Sequence, residues 1–400
     1  MVKQSKFARL LAAGMTLSIA AAASTSATAA DLKVGFIGPL TGSFADLGSR
    51  PKDTLNLVVN DINAGGGLVL ADGSKAKIKM EFVDDQGSVE TGATEMRRLI
   101  EGSKVDIVIG GMLSSVALAE MDVAENLKTP FIVAGAIAYA IGTKIESKSY
   151  KYVFQATPTS KQRAEADLNA IADLVKPKRI YAISQDTDWG REMSEAAKVK
   201  FSGGGYEVIE EFVRPGTTDY SAIDLKIQQM KPDLIYASLN GSELLSFMEQ
   251  KNDAGIQAVV FGSGSTATAD VFVKKLGKDV AAGTLANLVW LPQMGGEAAD
   301  TFAKKYRAVV KSEPSDLEAQ TYDTFLFVLA GLAGAKQMTN DGIAQALLSA
   351  KIDGIRGPGQ QFDPKRHGVP GLKFAIGQLQ GSGYKVVWPK EYAETPYKAP

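Results

Sequence analysis

The sequence predicts an α/β protein of two lobes, each a doubly wound, mostly parallel sheet, joined by a hinge of several strands. Three observations predict it. Short β-branched runs alternate with amphipathic segments from Leu32 to about Ala136, and the alternation restarts after about residue 155. After Gly283 a block of helical patterns is followed by a strand-like tail, so the chain must cross between lobes more than once. With 400 residues the chain is too long for one simple core.

The first alternation runs as follows. Leu32 to Gly38 is a strand, and Pro39 to Gly48 is a loop rich in turn formers. A helix is expected from about Pro51 to Ile62, stopped by Gly65-Gly-Gly67. Ala76 to Val83 is a second strand, ending in Asp84-Asp85, and Glu90 to Glu101 a second helix. Asp106 to Ile109 is a short β-branched run and reads as a covered strand. Thr129 to Ala136 holds a fourth strand and its exit. Right-handed crossovers put the C-terminal ends of all these strands on one edge, where ligands of such sheets bind. The loops concerned begin near Pro39, Asp84, Gly110 and Ala134.

The second alternation follows a connector strand, Lys151 to Gln155. Strands are expected at Arg179 to Ser184, Tyr206 to Val213, Leu234 to Ser238 and Ala258 to Phe261, with helices between them. Their exits carry Asp188-Trp-Gly190, Asn240-Gly241 and Gly262-Ser-Gly-Ser265. Thr284 to Trp290 is strand-like, and three helical patterns between Glu297 and Ser349 suit a return to the first lobe. The tail is expected to hold strands at Lys373 to Leu379 and Tyr384 to Val387. The expected division is a signal peptide over 1–30, a first lobe of 31–154 plus 285–358, and a second of 155–284 plus 359–400.

The N-terminus reads as an export signal. Lys3, Lys6 and Arg9 precede an apolar core from Leu10 to Ala23, too short to span a bilayer comfortably. Ala27-Thr-Ala29 or Thr28-Ala-Ala30 is the cleavage candidate, so the expected location is the periplasm. Cleavage leaves roughly 370 residues. The charge is nearly balanced, with 44 Lys+Arg against 45 Asp+Glu, and becomes more acidic without the three signal bases. That balance argues against nucleic acid as a partner. No cysteine is present, which excludes disulfides, thiol catalysis and thiolate metal sites.

The stretch that organises the rest is Val105 to Glu120. Gly110 and Gly111 allow a tight exit from its strand, and Ser114 or Ser115 stands where a helix N-cap belongs. Val116, Ala119, Val123 and Leu127 form one helix face. The first turn after the serines carries no acid, so its N–H groups and positive dipole end are free for an anion. On this stretch alone, an ordinary serine cap over a structural helix would read the same way.

Catalysis finds little support. The single histidine, His367, sits in a Pro/Gly-rich turn, and a Ser-His-Asp triad would have to use it. Asp84 and Asp85 are adjacent and at a strand end point to opposite sides, which does not suit an acid–base pair. The glycine triplets at 65–67 and 203–205 follow helices, and Gly262-Ser-Gly264 lacks the third glycine of a dinucleotide fingerprint. No cofactor and no metal are expected. Facing loops instead offer Ser114, Ser115, Tyr139, Trp189, Asn240 and Ser265 to a small polar ligand. Trp189 suits plain packing and cleft lining equally.

The chain resembles the periplasmic substrate-binding proteins of ABC importers in the branched-chain amino-acid family. The resemblance covers essentially all of the mature chain. It rests on Val34-Gly-Phe-Ile-Gly-Pro-Leu-Thr-Gly42, Val59-Asn-Asp-Ile-Asn-Ala-Gly-Gly66, Phe82-Val-Asp-Asp85 and Ile109-Gly-Gly-Met-Leu-Ser-Ser115. It continues through Trp189-Gly190, Pro215-Gly-Thr-Thr-Asp-Tyr-Ser221 and Tyr322-Asp323. It implies two Rossmann-like lobes of the type I periplasmic binding fold, clamshell closure, a monomer, and delivery of a small ligand to an inner-membrane ABC permease. It implies a ligand carboxylate held at Ser114 and at Gly135, Ala136 and Ile137, with Trp189 covering the ligand. Leu47, Leu113, Ser115, Asn240, Gly264 and Ser265 complete the expected binding set. A ligand-sensing module docked on a membrane receptor, or less favourably a secreted hydrolase, would be the alternatives.

Two departures from the resemblance bear on the ligand. Ile137 stands where amino-acid binders usually have a hydroxyl, and Gly264 near where they have an acid for the ligand's ammonium. The loop from Gly262 has no acid before Asp270. A buried ammonium without a carboxylate partner costs roughly several kcal/mol. The expected ligand is a small carboxylate-bearing molecule, an amino acid or a related organic or aromatic acid, and the departures favour an acid or amide without an α-ammonium.

Overall fold

The computed structural model describes residues 30–202, 206–263, 269–292 and 296–399. The expected signal peptide, apart from Ala30, lies outside them. No helix among the described residues is long and apolar enough to cross a membrane.

The first lobe is built on a five-stranded sheet in the order Ile78–Asp84, Leu32–Gly38, Ile107–Gly110, Phe131–Val133, Val153–Gln155. Every pairing in it is parallel. The strands are covered on both faces, so successive residues enter opposite core layers. Ile107 and Ile109 pack in one layer with Leu55, Phe325 and Leu347, from the helices Asp46–Ala64, Asp316–Gly334 and Asn340–Ser349. Val108 packs in the other with Met121 and Ile141, from the helices Ser114–Asn126 and Tyr139–Lys148. The late helices thus complete the first lobe.

The second sheet has seven strands, in the order Gly383–Trp388, Ala375–Gln380, Leu285–Leu288, Val259–Gly262, Leu234–Ser238, Arg179–Gln185, Glu207–Val213. Its parallel part is extended by Ala375–Gln380, antiparallel to Leu285–Leu288, and by the hairpin partner Gly383–Trp388. Leu285–Leu288 therefore stands in the second sheet, although the sequence reading gave residues from 285 to the first lobe. The run had no signal for its partner, because Val259–Gly262 and Ala375–Gln380 lie far away in the chain.

The chain crosses between the lobes after Gln155, after Leu288 and between Gln361 and Ala375. Two crossings run side by side: Gln155 N–H donates to the His367 carbonyl at 2.8 Å, and Gln155 bridges Gly368. His367 itself is buried there. Its Nδ1 lies 2.8 Å from the Val153 carbonyl, and its ring stacks on Phe154 at 4.8 Å. Burial pushes its pKa down, which keeps the imidazole neutral.

The helix expected from Pro51 begins at Asp46 instead. Proline lacks an N–H, but one and a half turns in it forfeits only one helical hydrogen bond. The early start brings Gly48 against the Pro39 carbonyl oxygen, which a Cβ there would meet at 2.1 Å. Leu47 is thereby turned toward the gap between the lobes.

Candidate functional site

A cavity of about 250 Å³ lies between the lobes, at the C-terminal ends of both sheets. Leu47, Leu113, Ser114, Ser115, Gly135, Ala136 and Ile137 line it from the first lobe, and Trp189 and Asn240 from the second. Gly264 and Ser265 lie outside the described residues. Tyr139 does not line the cavity. It opens the helix Tyr139–Lys148, and its ring receives the Arg366 guanidinium at 4.4 Å.

The strand Ile107–Gly110 leaves the sheet through Gly110 and Gly111. A Cβ on Gly110 would meet the Ile37 carbonyl oxygen at 2.0 Å, and Gly111 has a φ of +63°. Neither serine caps the helix that follows. Leu113 takes the extended cap conformation and Ser114 is the first helical residue. Ser114 Oγ is drawn instead to the neighbouring loop, where it accepts a hydrogen bond from Ala138 N–H at 3.3 Å. Ser115 Oγ donates across the cleft to Asp188 at 3.1 Å. The first N–H groups of this helix therefore have no side-chain cap and no acid in their first turn. Ser114, Ser115 and Val116, which carry these N–H groups, line the cavity.

The helix face also differs from the expected one. Val116, Ala117, Glu120, Met121 and Ala124 are buried, so Glu120 is an interior residue and Ala119 is not. Glu120 meets Asp85 in the core below the helix start, and neither carboxyl has any exposure. Burial is the main cause that raises both pKa values, Asp85 to about 6 and Glu120 well above its usual range. Asp84 points the other way, as expected of its neighbour. It accepts hydrogen bonds from Leu40 N–H, Thr41 Oγ and Gln86 N–H and ties down the loop after the first strand.

The loop from Gly135 to Ile137 is held rigidly. A Cβ on Gly135 would meet the Met112 Cα at 2.9 Å, so only glycine lets the two loops touch. Thr157 Oγ donates to the Ala136 carbonyl at 2.6 Å, and Ser160 N–H to the Ile137 carbonyl at 2.5 Å. The Ile137 side chain is buried in the core of the second lobe with Ala164, Leu168 and Trp189. Ile137, on a first-lobe loop, thus makes an apolar contact between the lobes. Trp189 belongs to the same core, lines the cavity, and has a buried indole N–H without a partner among the described residues.

Several lining residues escaped the sequence reading. Gln185 ends its strand, accepts a hydrogen bond from Asn240 at 3.0 Å and donates to Glu243. Glu243 spends its other oxygen on Gly216 N–H and serves as a helix cap. Asp186 is the one acid among the described lining residues, and it is ion-paired with Arg191. Arg163 is the one base, on the helix Ser160–Ala170, with 3% of its surface exposed. Its spacing from Asp167 is that of an ordinary solvent pair on a helix, which hid it.

This geometry, two α/β lobes with a cleft at the carboxyl ends of both sheets, defines a solute-binding clamshell. The model of the periplasmic binding protein family matches residues 31–383, and the chain belongs to that family. The chain is similar to Leu/Ile/Val-binding proteins. It is 26% identical over 330 residues to the Leu/Ile/Val-binding protein BraC3 of Rhizobium johnstonii, covering 81% of this chain and 84% of that one. A solute-binding protein of an ABC transporter from R. palustris, solved with benzoate, superposes with a TM-score of 0.79 at 22% identity, over 92% of this chain and 98% of that one. The branched-chain amino acid binding protein LivJ of Streptococcus pneumoniae, solved with isoleucine, gives 0.78 at 22%, over 90% and 100%.

Proposed function

We propose that this chain is exported to the periplasm, captures a small carboxylate-bearing solute between its lobes as a monomer, and delivers it to an ABC permease in the inner membrane. The observation that carries this reading is the uncapped, acid-free start of the helix Ser114–Asn126, which opens into the inter-lobe cavity. Such a helix start is a ready anion site. The lining favours carboxylates without an α-ammonium, because its one described acid, Asp186, is already paired with Arg191. The lobes close on the ligand by rotation about the three crossings, with the parallel contact of Gln155 and Gly368 as part of the hinge.

The relatives support the capture of a carboxylate. One is named for leucine, isoleucine and valine, and two solved neighbours hold isoleucine and benzoate. The test is mass spectrometry of what co-purifies, followed by a thermal-shift screen of amino acids and carboxylic acids. A true ligand at 100 times its Kd should stabilise the fold by about 2.7 kcal/mol. A screen in which no carboxylate raises the melting temperature would remove this reading.

A further inference from the structure

Arg163 is a buried guanidinium with most of its donors unspent. Among the described residues it makes one side-chain hydrogen bond, from Nη2 to Asp316 at 3.3 Å, and its buried Nε–H has no partner. Asp167, one turn along the same helix, does not take those donors. Its oxygens are held by Tyr236 at 2.9 Å, by Asn287 at 2.5 Å and by Ser263. A buried arginine with donors to spare is costly unless something fills them. Arg163 lines the inter-lobe cavity, and that is where an acceptor can come from.

The acceptor need not be the carboxylate of the proposed ligand. A carboxylate offers about four lone-pair sites. The helix start presents the N–H groups of Ser114, Ser115 and Val116, which have no acceptor within the helix. The charge around Arg163 also speaks against a second anion, since Asp316 and Asp167 already flank it. A neutral oxygen meets both conditions.

We propose that the ligand carries, besides its carboxylate, a neutral oxygen acceptor received by Arg163, so that the substrate class is oxo- or hydroxy-carboxylic acids. This rests on the carboxylate reading of the cleft. Arg163 is then the residue that sets specificity within that class, while the helix start binds the group common to all its members.

The experiment compares matched probes by calorimetry: hexanoate with 5-oxohexanoate, and benzoate with 4-hydroxybenzoate. In the native protein the oxygenated member of at least one pair should bind about 10-fold tighter or more. In Arg163→Met combined with Asp316→Asn, which removes the donors together with the carboxylate they bond, that ratio should fall to near one. Arg163→Lys, which keeps a charge and a donor, serves if the double variant does not fold, and should reduce the ratio. Equal affinities within both pairs in the native protein, or a ratio unchanged in the variants, would overturn the assignment. Failure of all four probes to bind would remove the carboxylate reading itself, and this inference with it.

Discussion

Glu192 of the second lobe accepts the backbone N–H of Tyr139 in the first, at 2.8 Å. Its other oxygen accepts from Ala140 N–H at 3.1 Å. The helix Tyr139–Lys148 has no cap of its own, since Ala138 offers no side-chain acceptor and the first turn no acid. The missing cap is supplied across the cleft, one turn beyond Asp188, which holds Ser115. Two residues on one side of a second-lobe helix thus face two helix starts of the first. Ser160 joins the same carboxylate through its hydroxyl.

Glu192→Ala should therefore loosen closure. Loss of a helix cap costs about 0.5–2 kcal/mol. Here part of that loss falls on the closed state, so ligand affinity should drop by about 2- to 30-fold. The radius of gyration without ligand should rise in small-angle scattering. If both affinity and radius stay unchanged, the contact does not contribute to closure.

Ser114→Ala separates the two jobs that a serine at a helix start could do. As an anion anchor its loss should weaken binding of a carboxylate by roughly 1–3 kcal/mol. As a cap its loss would destabilise the fold by about 1 kcal/mol. Leu113 holds the cap position, so the fold should keep most of that stability. Calorimetry and urea unfolding on the same variant measure the two effects. Unchanged affinity with a full loss of stability would reverse the assignment.

Most of the fold was legible because its strands announce themselves. Asp106 to Ile109 and Leu234 to Ser238 are β-branched or apolar runs closed by turn residues, and the right-handed crossover rule then fixes the edge where the loops gather. The cleft followed from that edge, which is why Ser114 and Trp189 could be placed on it, while Gly135 came from the family resemblance. Arg163 could not, because its burial depends on Asp316, which lies 153 positions away in the chain. Glu120 escaped for a related reason. An acid six residues into an amphipathic helix reads as solvated, and its burial against Gly92 and beside Asp85 comes from elements the helix pattern does not show.

The Asp85–Glu120 pair predicts a pH dependence of stability. Both carboxyls are interior, and Asp84 beside Asp85 adds a like charge. Their folded pKa values are raised, so protonation favours the fold. The stabilisation is fully present below the ordinary carboxyl range and is lost as pH rises through the folded values, about 6 for Asp85 and well above its usual range for Glu120. Glu120→Gln removes one ionisable group of the pair at nearly unchanged volume. The variant should gain stability relative to the native protein at pH 8, by about 1 kcal/mol or more, and gain less at pH 5. Thermal unfolding at the two pH values reads this out, and a difference independent of pH would refute the shared burial of charge.

The ligand-class prediction turns on what a buried ammonium would find in the cleft. Asp186 is the acid on the described lining, and Arg191 already pairs with it. Asp188 is engaged by Ser115, Glu192 by Tyr139 and Ala140, and Glu243 by Gln185 and Gly216. Donors are plentiful by contrast: the first N–H groups of the helix Ser114–Asn126, the Trp189 indole N–H and the Arg163 guanidinium. Drawing Asp186 away from Arg191 would give an ammonium its partner at the cost of an exposed ion pair, which is worth about 0–1 kcal/mol. The deficit then comes mainly from desolvating the ammonium beside a cation and a positive helix end. A carboxylate without an α-amino group avoids it. Side-by-side titration of leucine, 4-methyl-2-oxopentanoate and benzoate should show at least one of the last two binding more tightly than leucine. Submicromolar leucine binding with no response to the others would overturn the prediction, and Asp186→Asn would then show whether that carboxylate is the ammonium's partner.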